Sequence, residues 1–173
     1  VQGDYKKIVS QYTQPIIEEI VPPLIQVVTR KFTKEELSYW NSYYQDIEDL
    51  KRENIYAIKK LYLNRELFYH NENILRFGYR YGDYWKIYKP FETSKHKWMS
   101  NTPLTTLDGP EAIINSDTAW LTKSKKDKMV LLKLYPHVTS TQNESKACFS
   151  PENIEFIKSN SKKQILIYDS DPA

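Results

Sequence analysis

Thr118-Ala119-Trp120-Leu121-Thr122-Lys123-Ser124-Lys125-Lys126-Asp127 is the stretch on which the fold turns. Its first five residues suit a short strand, and Ser124 is a residue type that caps helices, so the spacing predicts a helix over Ser124–Leu134. Downstream, His137–Ser140 predicts a second strand. Ser150–Ser159 predicts a helix, with Ser150 as its cap and Pro151 at the first position, where a missing N–H costs nothing. Gln164–Tyr168 is a third and very apolar strand. Strand–helix–strand–helix–strand requires right-handed crossovers, and so a parallel sheet.

The chain before this stretch has a different period. Residues 1–31 are poorly patterned, with Pro15 and Pro22-Pro23 punctuating short apolar runs; they predict an extended connector with a short strand at Leu24–Thr29. Thr33 and Glu36 form a capping box that opens a helix through about Tyr44, with Phe32 and Leu37 spaced as a hydrophobic staple. A second short helix is expected over Asp46–Glu53. Alternation then predicts strands at Ile55–Leu63, Glu66–His70, Leu75–Tyr81 and Tyr84–Pro90, joined by short polar turns as a meander of hairpins. Residues 92–107 read as a loop. The expected organisation is a connector over 1–31, an α+β subdomain over 32–110 and an α/β module over 117–173.

Composition bounds the function. The 173 residues are 40% apolar and 27% charged, which is globular. One cysteine excludes an internal disulfide framework and suits a reducing cytoplasm. No apolar run approaches the length of a membrane span, so no membrane partner is expected. Four glycines leave little room for a phosphate-binding or dinucleotide loop, and His70, His96 and His137 lie on different elements without zinc spacing. The chain begins at Val1 without Met and stops at Asp-Pro-Ala straight after an apolar strand, so a fragment is expected.

The net charge of +3 conceals a gradient. Residues 1–50 sum to −3, residues 51–100 to +6 and residues 101–173 to 0. The basic third also holds Phe77, Tyr79, Tyr81, Tyr84, Trp85, Tyr88, Phe91 and Trp98. Cations for phosphates interleaved with flat rings for unstacked bases are what a single strand of nucleic acid needs. The same residues would also serve as strand formers of a twisted sheet with lysines on its wet face.

Two features fall at the carboxyl ends of the parallel strands, where such sheets bind ligands. Ile165-Leu166-Ile167-Tyr168-Asp169-Ser170-Asp171 delivers two carboxylates at i and i+2, a pair that suits a hard cation such as magnesium and is also common as two acids in a surface turn. Lys123, Lys125 and Lys126 around the start of the first crossover helix make either an anion site or a solvated basic face. Glu144, in the loop after the second strand, reads as a surface glutamate that could face the same crevice.

Together these features resemble the Toprim fold of bacterial-type DNA primases, particularly the divergent primases of bacteriophages. The resemblance runs from about Asp117 to Ala173, with Asp169-Ser170-Asp171-Pro172-Ala173 similar to the second Toprim signature and Ser150-Pro151-Glu152-Asn153 to the helix start before it. Where the common first signature has a glutamate this chain has Lys123, while Asp127 keeps the aspartate position. Arg76-Phe77-Gly78-Tyr79-Arg80, Tyr84-Trp85-Lys86-Ile87-Tyr88-Lys89-Pro90-Phe91 and Lys97-Trp98-Met99-Ser100-Asn101 more loosely resemble the basic subdomain that precedes Toprim in such primases. The cysteine-rich zinc module of the family has no counterpart in this sequence.

The resemblance implies an α+β chain of N-terminal helices and antiparallel hairpins followed by a partial Toprim α/β parallel sheet. It implies magnesium-dependent (or manganese-dependent) synthesis of short RNA primers from ribonucleoside triphosphates on single-stranded DNA in the intact enzyme, the fragment alone being inactive. Asp127, Asp169, Asp171 and Lys123 are then the catalytic candidates, with Asp169 and Asp171 as metal ligands. Arg76, Arg80, Lys86, Lys97, Lys125 and Trp85 are the nucleotide- and template-binding candidates. A replicative helicase is the implied partner, and the cytoplasm of an infected bacterium the implied location. A non-catalytic single-strand-binding module, or another Toprim enzyme such as a nuclease or topoisomerase, would share most of these features.

Overall fold

The computed structural model describes residues 22–70, 74–93 and 96–169. It is an α+β structure of two sheets, one antiparallel with six strands and one parallel with three. In chain order the elements are β1 (Ile25–Arg30), α1 (Lys34–Asn41), α2 (Ile47–Arg52), β2 (Ile55–Leu63), β3 (Glu66–Tyr69), β4 (Phe77–Tyr81), β5 (Tyr84–Tyr88), β6 (Trp98–Ser100), β7 (Ser116–Thr122), α3 (Lys125–Leu131), β8 (Val138–Ser140), α4 (Pro151–Asn160) and β9 (Ser161–Ile167). The antiparallel order is β1-β2-β4-β5-β6, with β3 pairing on β2; the parallel order is β8-β7-β9.

The predicted capping box opens α1, and a second one opens α2. Thr33 and Glu36 satisfy each other's backbone amides, and Asp46 does the same with Asp49. Phe32 and Leu37 both pack on the core beneath α1. Several boundaries move, among them β7, which begins at Ser116, and β9, which runs Ser161–Ile167. The strand expected in the connector pairs with β2 from Leu63 back to Ala57, so residues 25–30 belong to the sheet. The helix begun at Thr33 stops at Asn41 rather than Tyr44, and α3 stops at Leu131 rather than Leu134. Inside the expected loop, Trp98–Ser100 forms the edge strand β6 against Lys86–Tyr88.

Each face of the antiparallel sheet has its own core. Ile55, Phe77, Tyr79 and Tyr88 point to α1 and α2 and enclose Trp40 and Leu50. Ile25, Ile58, Leu61, Tyr69 and Ile87 form the opposite cluster, partly covered by Trp85 and Met99. Ile58 and Leu61 share this face despite their odd spacing, because Val28 pairs with Lys60 and Thr29 with Ile58, which leaves Lys59 as a bulge that resets the alternation. Gly78 is held to glycine by Trp85: a Cβ there would lie 2.9 Å from the indole ring.

The parallel sheet does not stand apart. Met129 of α3 is fully buried in the first core, among Trp40, Phe77 and Tyr79. Around it Lys125 and Lys128, both buried, reach back to the antiparallel module. Lys125 Nζ donates to Asp108 Oδ1 (2.8 Å) and to the Glu53 carbonyl (2.9 Å), and Lys128 Nζ pairs with Glu53 Oε2 (2.6 Å) and Asp108 Oδ2 (3.2 Å). Gly109, at φ +68°, lets the backbone pass Lys128, whose Nζ would lie 2.9 Å from any Cβ there. The expected division near residue 110 is therefore a shared seam. Removing one charge of a buried set strands its partners, so Lys128→Met should destabilise the fold by about 3–5 kcal/mol in urea titrations, and Lys128→Met with Glu53→Gln should recover part of that loss.

Candidate functional site

A pocket of about 680 Å³ opens between the β5–β6 edge and the carboxyl ends of β7, β8 and β9. Its two walls differ in chemistry. The antiparallel wall is aromatic and basic: Tyr88 and Trp98 stack with ring centroids 4.4 Å apart and planes 22° apart. Lys86 Nζ lies 4.8 Å from the Trp98 ring centroid, and Lys97 Nζ lies 5.9 Å from that of Tyr88. Lys126 of α3 extends over the same floor, 4.4 Å from the Tyr43 ring and 5.8 Å from the Tyr88 ring.

The parallel wall carries the carboxylates. Lys123 follows the central strand, Glu144 lies in the loop after β8, and Asp169 follows β9. The order β8-β7-β9 therefore sets Lys123 between the two acids. Its Nζ donates to Glu144 Oε1 at 2.7 Å and pairs closely with Asp169 Oδ2. Asp127 lines the pocket one turn into α3, where its Oδ2 accepts from Ser124 Oγ (2.7 Å) while its own amide donates back to that hydroxyl (3.2 Å).

Strand parity divides the predicted binding residues. Lys86 and Lys97 face the pocket, but Arg80 and Trp85, which pair across β4 and β5, lie on the opposite face. Arg80 Nε is bonded to the Gly82 carbonyl, and Trp85 packs on the second core. Arg76 sits over the Tyr69 ring at 3.8 Å, with Glu92 at 3.9 Å, also away from the pocket. Lys125 is buried in the seam, with its Nζ 4.6 Å from the Tyr81 ring centroid, so it is a structural cation rather than a pocket lysine. The anion site expected at the start of α3 is likewise changed, since the capped turn carries Asp127 itself. Asp171 lies outside the described residues. Trp98 of the aromatic and basic third, Lys126 of the basic helix start and Glu144 of the loop after the second parallel strand also line the pocket.

Among the described residues no three His, Cys, Asp or Glu side chains form a group that could hold a metal. Asp127, Glu144 and Asp169 offer hard oxygens that suit magnesium in kind, but the Lys123 ammonium stands between Glu144 and Asp169. Among the described residues, too, no helix is long and apolar enough to cross a membrane.

Lys86 faces the pocket as a largely buried cation. Burial pushes its pKa down to about 8, with no carboxylate of the described residues at ion-pair distance; the Gln142 carbonyl and Gln142 Oε1 (3.4 Å) are its acceptors. Because the folded pKa lies below the usual 10.5, the cost of holding the ammonium is full below about pH 8 and fades as pH approaches 10.5. Lys86→Met should therefore be more stable than the wild type at pH 7 by roughly 1–3 kcal/mol, with the gap closing by pH 10. Urea titrations at the two pH values check this, and parallel curves would contradict it. No family model and no curated protein matches the chain.

Proposed function

We propose that this chain is the template- and nucleotide-holding part of a bacterial-type DNA primase, a nucleotidyltransferase that joins ribonucleoside triphosphates into short RNA primers on single-stranded DNA. One observation carries the proposal. The basic, aromatic sheet edge and the acidic strand ends of a parallel sheet face each other across a single pocket, with Lys86, Lys97 and Trp98 on one side and Asp127 and Asp169 on the other.

In this reading the triphosphate lies along Lys86, Lys97 and Lys126, whose charges stabilise the departing pyrophosphate, and an unstacked base rests on the exposed edge of the Trp98–Tyr88 stack. The primer 3′-hydroxyl approaches the α-phosphate from the acidic wall. Asp169 and Asp171, with Asp127, would hold magnesium or manganese, which when bound neutralises the triphosphate and polarises the hydroxyl. Positioning and electrostatics supply most of the rate in phosphoryl transfer, which suits a pocket lined by four lysines. A replicative helicase as partner, and the cytoplasm of an infected bacterium as the location, follow from the same reading.

Priming assays on the protein that carries this chain test the proposal. Short RNA should form only with ribonucleoside triphosphates, divalent metal and single-stranded template, and Asp169→Asn should reduce it by at least about 100-fold while leaving template binding within twofold. Absence of RNA product with Asp169 intact would overturn the reading. Trp98→Ala should weaken binding of a single-stranded oligonucleotide by about tenfold in fluorescence anisotropy, the loss of one stacked base.

The contact of Lys123 with both acids favours a second reading, a single-strand-binding module without catalysis. Filter binding at several salt concentrations separates the two: a steep salt slope unaffected by magnesium belongs to the binder.

A further inference from the structure

Lys123 sits where two strand-end carboxylates converge, and among the described residues it is the one pocket lysine bonded to acids. Lys86 is held by the Gln142 carbonyl and the Trp98 ring, and Lys97 and Lys126 lie against aromatic faces. Lys123, by contrast, contacts Glu144 and Asp169 together while its side chain remains 19% exposed. The two acids are 50% and 63% exposed, so neither is locked by burial and the bridge can open toward the pocket.

We infer that Lys123 is the resident counter-ion of Asp169 and Glu144, exchanging with a divalent cation there, and that an incoming polyphosphate draws its ammonium away. The charge balance requires this order. With Lys123 on the acids, a divalent ion meets a pair already neutralised by half and an ammonium at contact distance, so it binds weakly alone. A polyphosphate gives Lys123 a second, more highly charged partner in the same pocket, beside Lys86, Lys97 and Lys126. Once the ammonium has moved, the acids are open to the cation. Metal and anion are thereby taken up as a pair, and the acids are not left uncompensated between turnovers. The inference rests on the functional reading for the cation at Asp169 and for the polyphosphate as the anion.

Manganese serves as the cation probe, followed on the full chain by the loss of the free-ion electron paramagnetic resonance signal; pyrophosphate without metal, followed by calorimetry, serves as the anion probe. Lys123→Met should bind manganese about tenfold more tightly than the wild type and pyrophosphate about tenfold more weakly. Lys123→Arg, which keeps the charge, should leave manganese affinity within threefold. Lys126→Met removes an equal charge from the pocket without touching the acids, and it should weaken pyrophosphate binding with less than threefold effect on manganese. The inference is overturned if Lys123→Met fails to gain manganese affinity, or if Lys126→Met gains as much. Because both probes are read at equilibrium, a protein that makes no primers but shows these opposite shifts would fail the functional reading and still support the exchange.

Discussion

Two ammonium groups and two carboxylates buried at the seam between the sheets are the constraint on which the rest depends. Taking Glu53, Asp108, Lys125 and Lys128 out of water costs several kcal/mol for each ion, and only their mutual contacts offset that. Burial lowers the pKa of Lys125, whereas for Lys128 the nearby Asp108 and Glu53 outweigh burial and raise it. The cluster therefore tolerates only a narrow set of positions for α3. With Lys125, Lys128 and Met129 turned inward, Lys126 and Asp127 can only be turned toward the pocket. A structural ion set thus fixes the orientation of functional charges on the same short helix.

The pocket inherits its asymmetry from the two sheets it joins. Antiparallel alternation sorts side chains by face, which is why Lys86 and Tyr88 arrive together while Trp85 and Ile87 are sent to the other side. Parallel strands instead deliver residues from their ends, so Lys123, Glu144 and Asp169 come from three separate loops and meet because their strands are neighbours. Cations and rings come from one principle of construction and carboxylates from the other. Phosphate and base can then be held on one wall while charge is compensated on the other.

Much of this was legible in the residues. The caps at Thr33, Asp46, Ser124 and Ser150 mark four helix starts, and the change of period at Ile55 and again near Thr118 marks the two kinds of sheet. Strand order was not legible, because the contacts between β7 and its neighbours are long-range. The burial of Lys125 and Lys128 was hidden for a related reason: lysines are seldom buried unless paired, and their partners lie about 17 to 75 residues earlier in the chain. Trp98–Ser100 escaped as a strand because three residues in a polar loop carry no periodicity. Arg80 and Trp85 were grouped with Lys86 by composition, although strict alternation along Tyr84–Tyr88 already separates Trp85 from Lys86. Lys59 shows the opposite limit, since a bulge breaks the period that the reading of β2 relied on.

The pairing of β7 with β9 also bears on when the site comes into existence. β4 and β5 are joined by a two-residue turn at Gly82-Asp83, whereas Ser116 must find Ser161 across 44 residues of intervening chain. Local hairpins close early and distant parallel pairings late, because the loop entropy of the latter must be overcome before any contact rewards it. Leaving synthesis N-terminus first, the chain completes its lysine- and aromatic-lined wall well before β9 docks and brings Asp169 to Lys123. For that interval Lys123 has only Glu144 of its two carboxylate partners.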